Sequence, residues 1–176
     1  MIVETSLTAE EYVRHEAHTQ MPAPANCSNC GKPGTLKAHA YYRRYTTGSQ
    51  GRDLRHKVRR FICKFCRVTI SCLPSFVQPY RKIANATIEA AILGDNNRPD
   101  VQRNWYLLRK YLATLSQECC ARMGNYFGLA PPGEDKTAFW RKAVLRCGSF
   151  AGLTMTSVNE LSITCFGVYK CHQRHS

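Results

Sequence analysis

The sequence predicts an α+β protein: an N-terminal zinc ribbon carrying a long β-hairpin, followed by a mainly α-helical region. Three observations lead there. Two Cys-x-x-Cys pairs, Cys27/Cys30 and Cys63/Cys66, are separated by 32 residues. Between them, two runs of alternating side chains flank a glycine-containing turn, and after them apolar residues recur at helical spacing. The 176 residues, 44% hydrophobic and free of repeats, suffice to bury the core of one domain or two small ones. Three segments are expected: an N-terminal helix and linker (1–25), the ribbon with its basic hairpin (26–80), and the helical region (81–176), with a helix-turn-helix candidate at 81–124.

The elements follow in order. Thr8-Ala9-Glu10-Glu11 is a capping box that predicts a short amphipathic helix to about His18, and a Pro-Ala linker runs from Met21 to Ala25. This helix is rich in acids and is expected to pack on the ribbon or to meet a partner. A two-residue gap lets each cysteine pair aim two thiolates at one point, and two such turns complete a tetrahedral Zn²⁺ shell. One structural zinc held by Cys27, Cys30, Cys63 and Cys66 is therefore expected, with His39, His56 and Cys72 as lesser substitutes. A rubredoxin-like iron site uses the same ligands; a redox Cys-x-x-Cys needs only one pair.

Thr35–Thr46 and Asp53–Ile62 read as the hairpin strands around Gly48-Ser49-Gln50-Gly51. Period two places Leu36, Ala38, Ala40 and Tyr42 inward with Leu54, Val58 and Ile62. It places Lys37, His39, Tyr41, Arg43 and Tyr45 outward beside Arg55, Lys57 and Arg59. Ser71–Tyr80 reads as an extended, proline-punctuated connector. Arg81–Leu93 has helical periodicity and stops at Gly94. Asp100 is the expected cap of a further helix, with Val101, Trp105, Leu108, Leu112 and Leu115 as its buried stripe, running as far as Gly124. In a helix-turn-helix, Gln102, Arg103 or Asn104 would meet base edges; an ordinary helical hairpin has the same pattern. Glu134–Arg146 is another helix. Ser157–Tyr169 is ambiguous between helix and strand. Cys147, Cys165, Cys171, His172 and His175 are weighed as a second metal site, with buried free thiols and a histidine-containing tail favoured over it.

Charge is local. Between Lys32 and Lys82 stand 13 basic residues and one acid, Asp53, so this window holds +12 of the chain's +13. So one-sided a window is the footprint of a polyanion partner. The candidate nucleic-acid contacts are Lys37, His39, Tyr41, Arg43, Arg44, Arg55, Lys57, Arg59 and Arg60 on the ribbon and Arg103 beyond it. Glu160 interrupts the longest apolar run, so no membrane span is expected. Met1-Ile2-Val3-Glu4 does not begin a secretory signal, which predicts a cytoplasmic location where ten cysteines are not a disulfide scaffold.

The series Cys27-x-x-Cys30-Gly31, His39-Ala40-Tyr41-Tyr42-Arg43-Arg44, Val58-Arg59-Arg60-Phe61-Ile62-Cys63-x-x-Cys66, Leu73-Pro74-Ser75-Phe76 and Pro79-Tyr80-Arg81 resembles a bacterial zinc-ribbon family of unassigned function. It is similar to the ribbons of transposases and other mobile-element proteins. The resemblance covers about Cys27 to Lys82. It implies zinc on the four cysteines, DNA as partner and a bacterial cytosol or nucleoid. Arg67 stands where the similar knuckles usually have glycine.

The expected function is that of a zinc-stabilised DNA-binding protein, a regulator or accessory factor of a mobile element, and not an enzyme. RNA is the rival ligand, since Tyr41, Tyr42 and Tyr45 can stack on unpaired bases. A protein-interaction adaptor in a nucleoprotein complex is the second alternative. A transposase or nuclease needs carboxylates converging on Mg²⁺, and the acids here form no such pattern.

Overall fold

In the computed structural model, residues 1–114, 117–133 and 135–166 are described. The hairpin forms as its alternation predicts. Strand β2 (Leu36–Thr47) pairs antiparallel with β3 (Asp53–Cys63), and Gly51 closes the turn at φ +73°, where a side chain would be strained. The connector after the second cysteine pair is extended but not free. Its first half is a strand, β4 (Thr69–Pro74), hydrogen-bonded to β3. Ile2–Val3 (β1) adds in parallel to β4, giving a four-stranded sheet in the order β1-β4-β3-β2.

The capping box is present: Glu11 N–H donates to the Thr8 hydroxyl and Thr8 N–H to the Glu11 carboxylate. Helix α1 (Ala9–Arg14) then breaks at Glu16, in left-handed backbone, and a 3-10 turn (Ala17–Thr19) follows. This N-terminal arm packs on β3. Tyr12, Met21, Phe61 and Cys72 form the cluster between them.

Among the described residues five helices follow: α2 (Asn85–Leu93), α3 (Pro99–Ala113), α4 (Gln117–Phe127), α5 (Lys136–Cys147) and α6 (Phe150–Asn159). Around buried Trp140 they enclose the main core, with Ile88, Leu108, Met123, Phe150 and Leu153. Three expectations are corrected here. The helix starting near Asp100 does not reach Gly124; α3 ends at Ala113 and α4 is separate. Asp100 is not its cap: Pro99 takes the first helical position, and the fully buried Asp100 carboxylate is held by Arg98 (2.8 Å) and Thr87 (2.6 Å), latching α3 to α2. Trp105, assigned to the buried stripe, is 43% exposed, while Val101 and Leu108 face the core. Leu115 and Glu134 lie outside the described residues, and α5 starts with Asp135 as its cap. Of the ambiguous stretch Ser157–Tyr169, residues 157–159 end α6, a helix that begins at Phe150; residues 160–166 belong to no helix or strand, and 167–169 lie outside the described residues.

The hairpin does not project from this body. Its tip is buried at Thr46, Thr47, Gly48 and Gly51, and Thr47 N–H donates to the Lys82 carbonyl (2.8 Å). Glu10 accepts from Ser49 N–H and Oγ (both 2.9 Å), and the Arg103 guanidinium donates to the Gly51 carbonyl. At the other edge, Asn159 both donates to and accepts from the backbone of Ile2 (2.8 and 2.9 Å), joining α6 to β1.

Candidate metal centre and the cationic hairpin face

The two cysteine pairs fold as matching knuckles. In the first, Cys27 N–H donates to the Lys32 carbonyl (3.1 Å) and Gly31 N–H to the Cys27 carbonyl (2.8 Å). In the second, Cys63 N–H donates to Val68 (3.0 Å) and Arg67 N–H to Cys63 (3.0 Å). Gly31 sits at φ +71° and Arg67 at φ +62°. Arg67 thus takes the left-handed conformation that glycine usually supplies, so the non-glycine residue alters the cost of the turn and not its shape.

Pairing of Leu36 with Cys63 brings the knuckles together at the open end of the hairpin. All four sulfurs lie within 4.8 Å of one another, with Cys27 Sγ 3.6 Å from Cys66 Sγ and Cys30 Sγ 3.8 Å from Cys63 Sγ. Such a cluster can hold a metal ion. A metal–sulfur bond of about 2.3 Å puts the edge of a regular tetrahedron at about 3.8 Å, and both separations match it. The Thr35 hydroxyl, 3.2 Å from Cys63 Sγ, together with the Cys66 and Phe65 N–H groups, pulls the Cys63 thiol down to about 6. The Lys32 N–H favours the Cys30 thiolate too, but burial and the other three sulfurs outweigh it and push that thiol up to about 11. Four adjacent thiols cannot all ionise without a cation among them. Thr35 was not legible as a neighbour of the site, nor was the Lys32 ammonium over the Phe65 ring (3.4 Å), which ties one knuckle to the other.

Among the described residues, no other group of histidine, cysteine or acid has ligand spacing. Cys72 is buried under the N-terminal arm, His56 is buried against Tyr12 and Phe76, and His39 is exposed on β2, so none of the three joins the cluster. Cys119, Cys120 and Cys165 are buried in the helical core. Cys171, His172 and His175 lie outside the described residues.

On the hairpin, Tyr41 pairs with Arg59, Arg43 with Lys57 and Tyr45 with Arg55, so these six share one face. Tyr41 and Tyr45 are half exposed, and Arg43 and Arg55 are exposed. Lys57 and Arg59 are half-buried because the N-terminal arm reaches over them. Glu16 pairs with Lys57 (3.1 Å) and His18 meets the Tyr41 ring edge-on at 5.5 Å, its own pKa lowered by burial and then by the Lys57 ammonium.

The remaining expected contacts are placed differently. The register shifts between Ala38 and Ala40, leaving His39 as an extra residue, and a one-residue bulge exchanges the faces of a strand. Lys37 is therefore on the side of Ala40 and Tyr42, opposite Tyr41 and Arg43, whereas uninterrupted alternation predicts one face for all. Lys37 and His39 are both exposed. Arg44 points away from the Tyr41 face and donates to the carbonyls of Gln78 (3.1 Å) and Arg81 (2.9 Å). Arg60, half-buried, shares its side and stands opposite Ala40. Arg103 is engaged with Gly51 and pairs with Asp53 (3.7 Å), so it tethers the hairpin tip to α3.

Residues 27–111 match the family model described as a domain of unknown function (DUF6431), a stretch from the first cysteine of the cluster to the last turn of α3 that contains all four of its cysteines. No curated protein and no solved structure matches the chain.

Proposed function

We propose that this chain is a non-enzymatic, zinc-stabilised nucleic-acid-binding protein, with DNA favoured over RNA, whose contact surface is the Tyr41–Tyr45 face of the hairpin. The observation that carries this reading is the cross-strand pairing of Tyr41, Arg43 and Tyr45 with Arg59, Lys57 and Arg55. Cations on a stiff ribbon neutralise phosphates, and exposed tyrosines between them offer flat surfaces to sugars and bases. A solvated edge protected by charge needs only a lysine or two.

Zinc suits the cluster because it accepts four thiolates in a regular tetrahedron, with the sulfur separations given above. A filled thiolate shell leaves no position for an activated water, so the ion holds the hairpin's open end and performs no hydrolysis. The acids support a non-enzymatic reading as well. Asp100, Glu89, Asp135, Glu118 and Glu16 are engaged separately, by Arg98 with Thr87, the Phe150 N–H, the start of α5, Arg122 and Lys57 respectively. A place in the bacterial nucleoid and a role beside a mobile element rest on the sequence resemblance of Cys27 to Lys82. No helix among the described residues is long and apolar enough to cross a membrane.

The test is a salt titration of the purified, metal-loaded protein on a 20-bp duplex and on RNA, with metal content read by elemental analysis. If about four phosphates are neutralised on the duplex, log affinity falls against log salt with a slope near −3.6. Arg43→Ala with Arg55→Ala should flatten that slope by about two and weaken binding to every sequence, at unchanged metal content. Wild-type affinity of this double variant at all salt concentrations would overturn the assignment.

A further inference from the structure

Helix α3 carries a second surface of the same chemistry that the hairpin reading does not use. Tyr106 is 80% exposed and Trp105 43% exposed on a helix whose other side is fully buried at Val101 and Leu108. Adjacent exposed apolar side chains lining a groove mark an interaction surface where a single exposed residue does not. Both rings border an open groove of about 790 Å³ between α3 and α5, floored by apolar side chains such as Leu112 and rimmed by Arg109, Lys110 and Lys136. Asp135 is the acid on that rim, and its carboxylate is already committed to the N–H groups of Thr137 (2.9 Å) and Ala138 (3.2 Å). The groove therefore presents two aromatic rings beside Arg109 and Lys110, while Lys136 donates to the Ala113 carbonyl (2.9 Å).

We infer that this groove binds an unpaired segment of nucleic acid, with a base stacked on Tyr106 or Trp105 and its flanking phosphates on Arg109 and Lys110. The inference rests on the nucleic-acid reading above and adds strandedness to it. A duplex hides its base faces in the stack, so exposed aromatic planes gain from unpaired bases and not from paired ones. The groove lies on the same helix that holds the hairpin tip. Arg103, bound to the hairpin tip, stands one turn before Tyr106 on the same helix, about 5 Å along its axis.

The two tryptophans make the experiment direct. Trp140 is fully buried and donates its indole N–H to the Leu112 carbonyl (3.1 Å), so quenching on ligand binding reports Trp105. The full metal-loaded chain is titrated with dT20, rU20 and a 20-bp mixed duplex, and the readouts are Trp emission, affinity and salt slope. The single strands should quench Trp105, and Trp105→Phe should remove most of that signal. Tyr106→Ala should cost roughly 5- to 100-fold on single strands, leave duplex affinity within about twofold and leave the salt slope unchanged. The dT20 and rU20 arms tell DNA from RNA.

Four results would overturn the proposal, and they separate it from the hairpin reading. If Tyr106→Ala and Trp105→Ala bind single strands like wild type while Arg43→Ala/Arg55→Ala does not, the groove assignment fails and the hairpin stands. If no oligonucleotide quenches Trp105 although binding occurs, the groove is left to a protein partner. If Tyr106→Ala weakens duplex and single strand alike, stacking on unpaired bases is wrong. If the wild-type chain binds none of the three, both readings fall together.

Discussion

His56 shows how a single buried side chain sets the behaviour of the hairpin. It is 2% exposed, lies against the rings of Tyr12 (6.4 Å) and Phe76 (5.7 Å), and neither of its nitrogens meets a hydrogen-bond partner among the described residues. Burial, and after it the Arg44 guanidinium, lowers its pKa from 6.5 to about 4. Between those values the unfolded chain binds a proton that the folded chain refuses, so stability rises with pH across this window. The contribution is complete above about 6.5 and is lost as pH falls to about 4, a difference on the order of 3 kcal/mol. His56→Phe keeps a ring among rings and removes the titration. Urea unfolding of the two proteins from pH 4.5 to 7 should therefore give curves that converge at the high end and separate at the low end, with the variant the more stable there. Because the two proteins differ at position 56 alone, the difference between the curves reports His56. A pH-independent difference would mean that the imidazole is not held neutral. Nothing in the alternation of Arg55-His56-Lys57 marks this residue, because its environment is supplied by Tyr12 and Phe76, which are distant in sequence.

At the scale of elements, the N-terminal arm and the hairpin compete for the same charges. Glu16 neutralises Lys57 on the face assigned to phosphates, yet the pair is exposed on the Glu16 side and contributes less than about 1 kcal/mol to stability. Glu16→Gln should release Lys57 and remove one repelling charge. The expected result is a two- to fivefold gain in duplex affinity near 100 mM salt and a slope steeper by up to about 0.9, with a melting temperature lowered only slightly. An unchanged slope would show that Lys57 does not reach the ligand. The capping box, the cysteine knuckles and the paired strands were legible because each depends on residues close in sequence. The bulge at His39 was not, since neither glycine nor proline marks it and a single extra residue leaves the alternation intact on both sides. Helix α6 escaped for a different reason. Its buried positions Phe150, Leu153, Thr154 and Ser157 do keep helical spacing, but half of them are hydroxyls. Thr154 satisfies itself by donating to the Phe150 carbonyl (2.8 Å), so a polar residue occupies a core position without penalty. Trp105 misled in the opposite direction: an apolar residue at core spacing that stands in solvent.

Across the whole molecule, the cysteine cluster and the helical core stand at opposite ends of the hairpin. From Leu36 at the knuckles to Thr47 at the tip, β2 extends about 36 Å. The tip is held by Glu10, Arg103 and the Lys82 carbonyl, none of which involves the cysteines. The knuckles pack a small cluster of their own, Cys27, Cys63 and Ile70, distinct from the cluster around Trp140. A structural zinc typically binds with about 10 to 16 kcal/mol of free energy, which is folding energy for whatever depends on it. With zinc on the four cysteines, the part of the fold that would depend on it is the open end. Chelation at pH 7 should therefore abolish amide protection at 27–37 and 63–70 and leave it in α2, α3, α5 and α6, with Trp140 emission unshifted. Cys63→Ser should reproduce the pattern, and Cys119→Ser, a change inside the helical core, should retain the metal. The tip gives this prediction its force: anchored to α1 and α3, it keeps the upper hairpin paired after the knuckles open, so the Tyr45–Arg55 end should stay protected longer than the Leu36–Cys63 end. If Trp140 shifts to the red in step with metal loss, the sheet and the helices fold as one cooperative unit, and the contacts at Ile2, Glu10 and Arg103 couple the two cores more tightly than their separate packing implies.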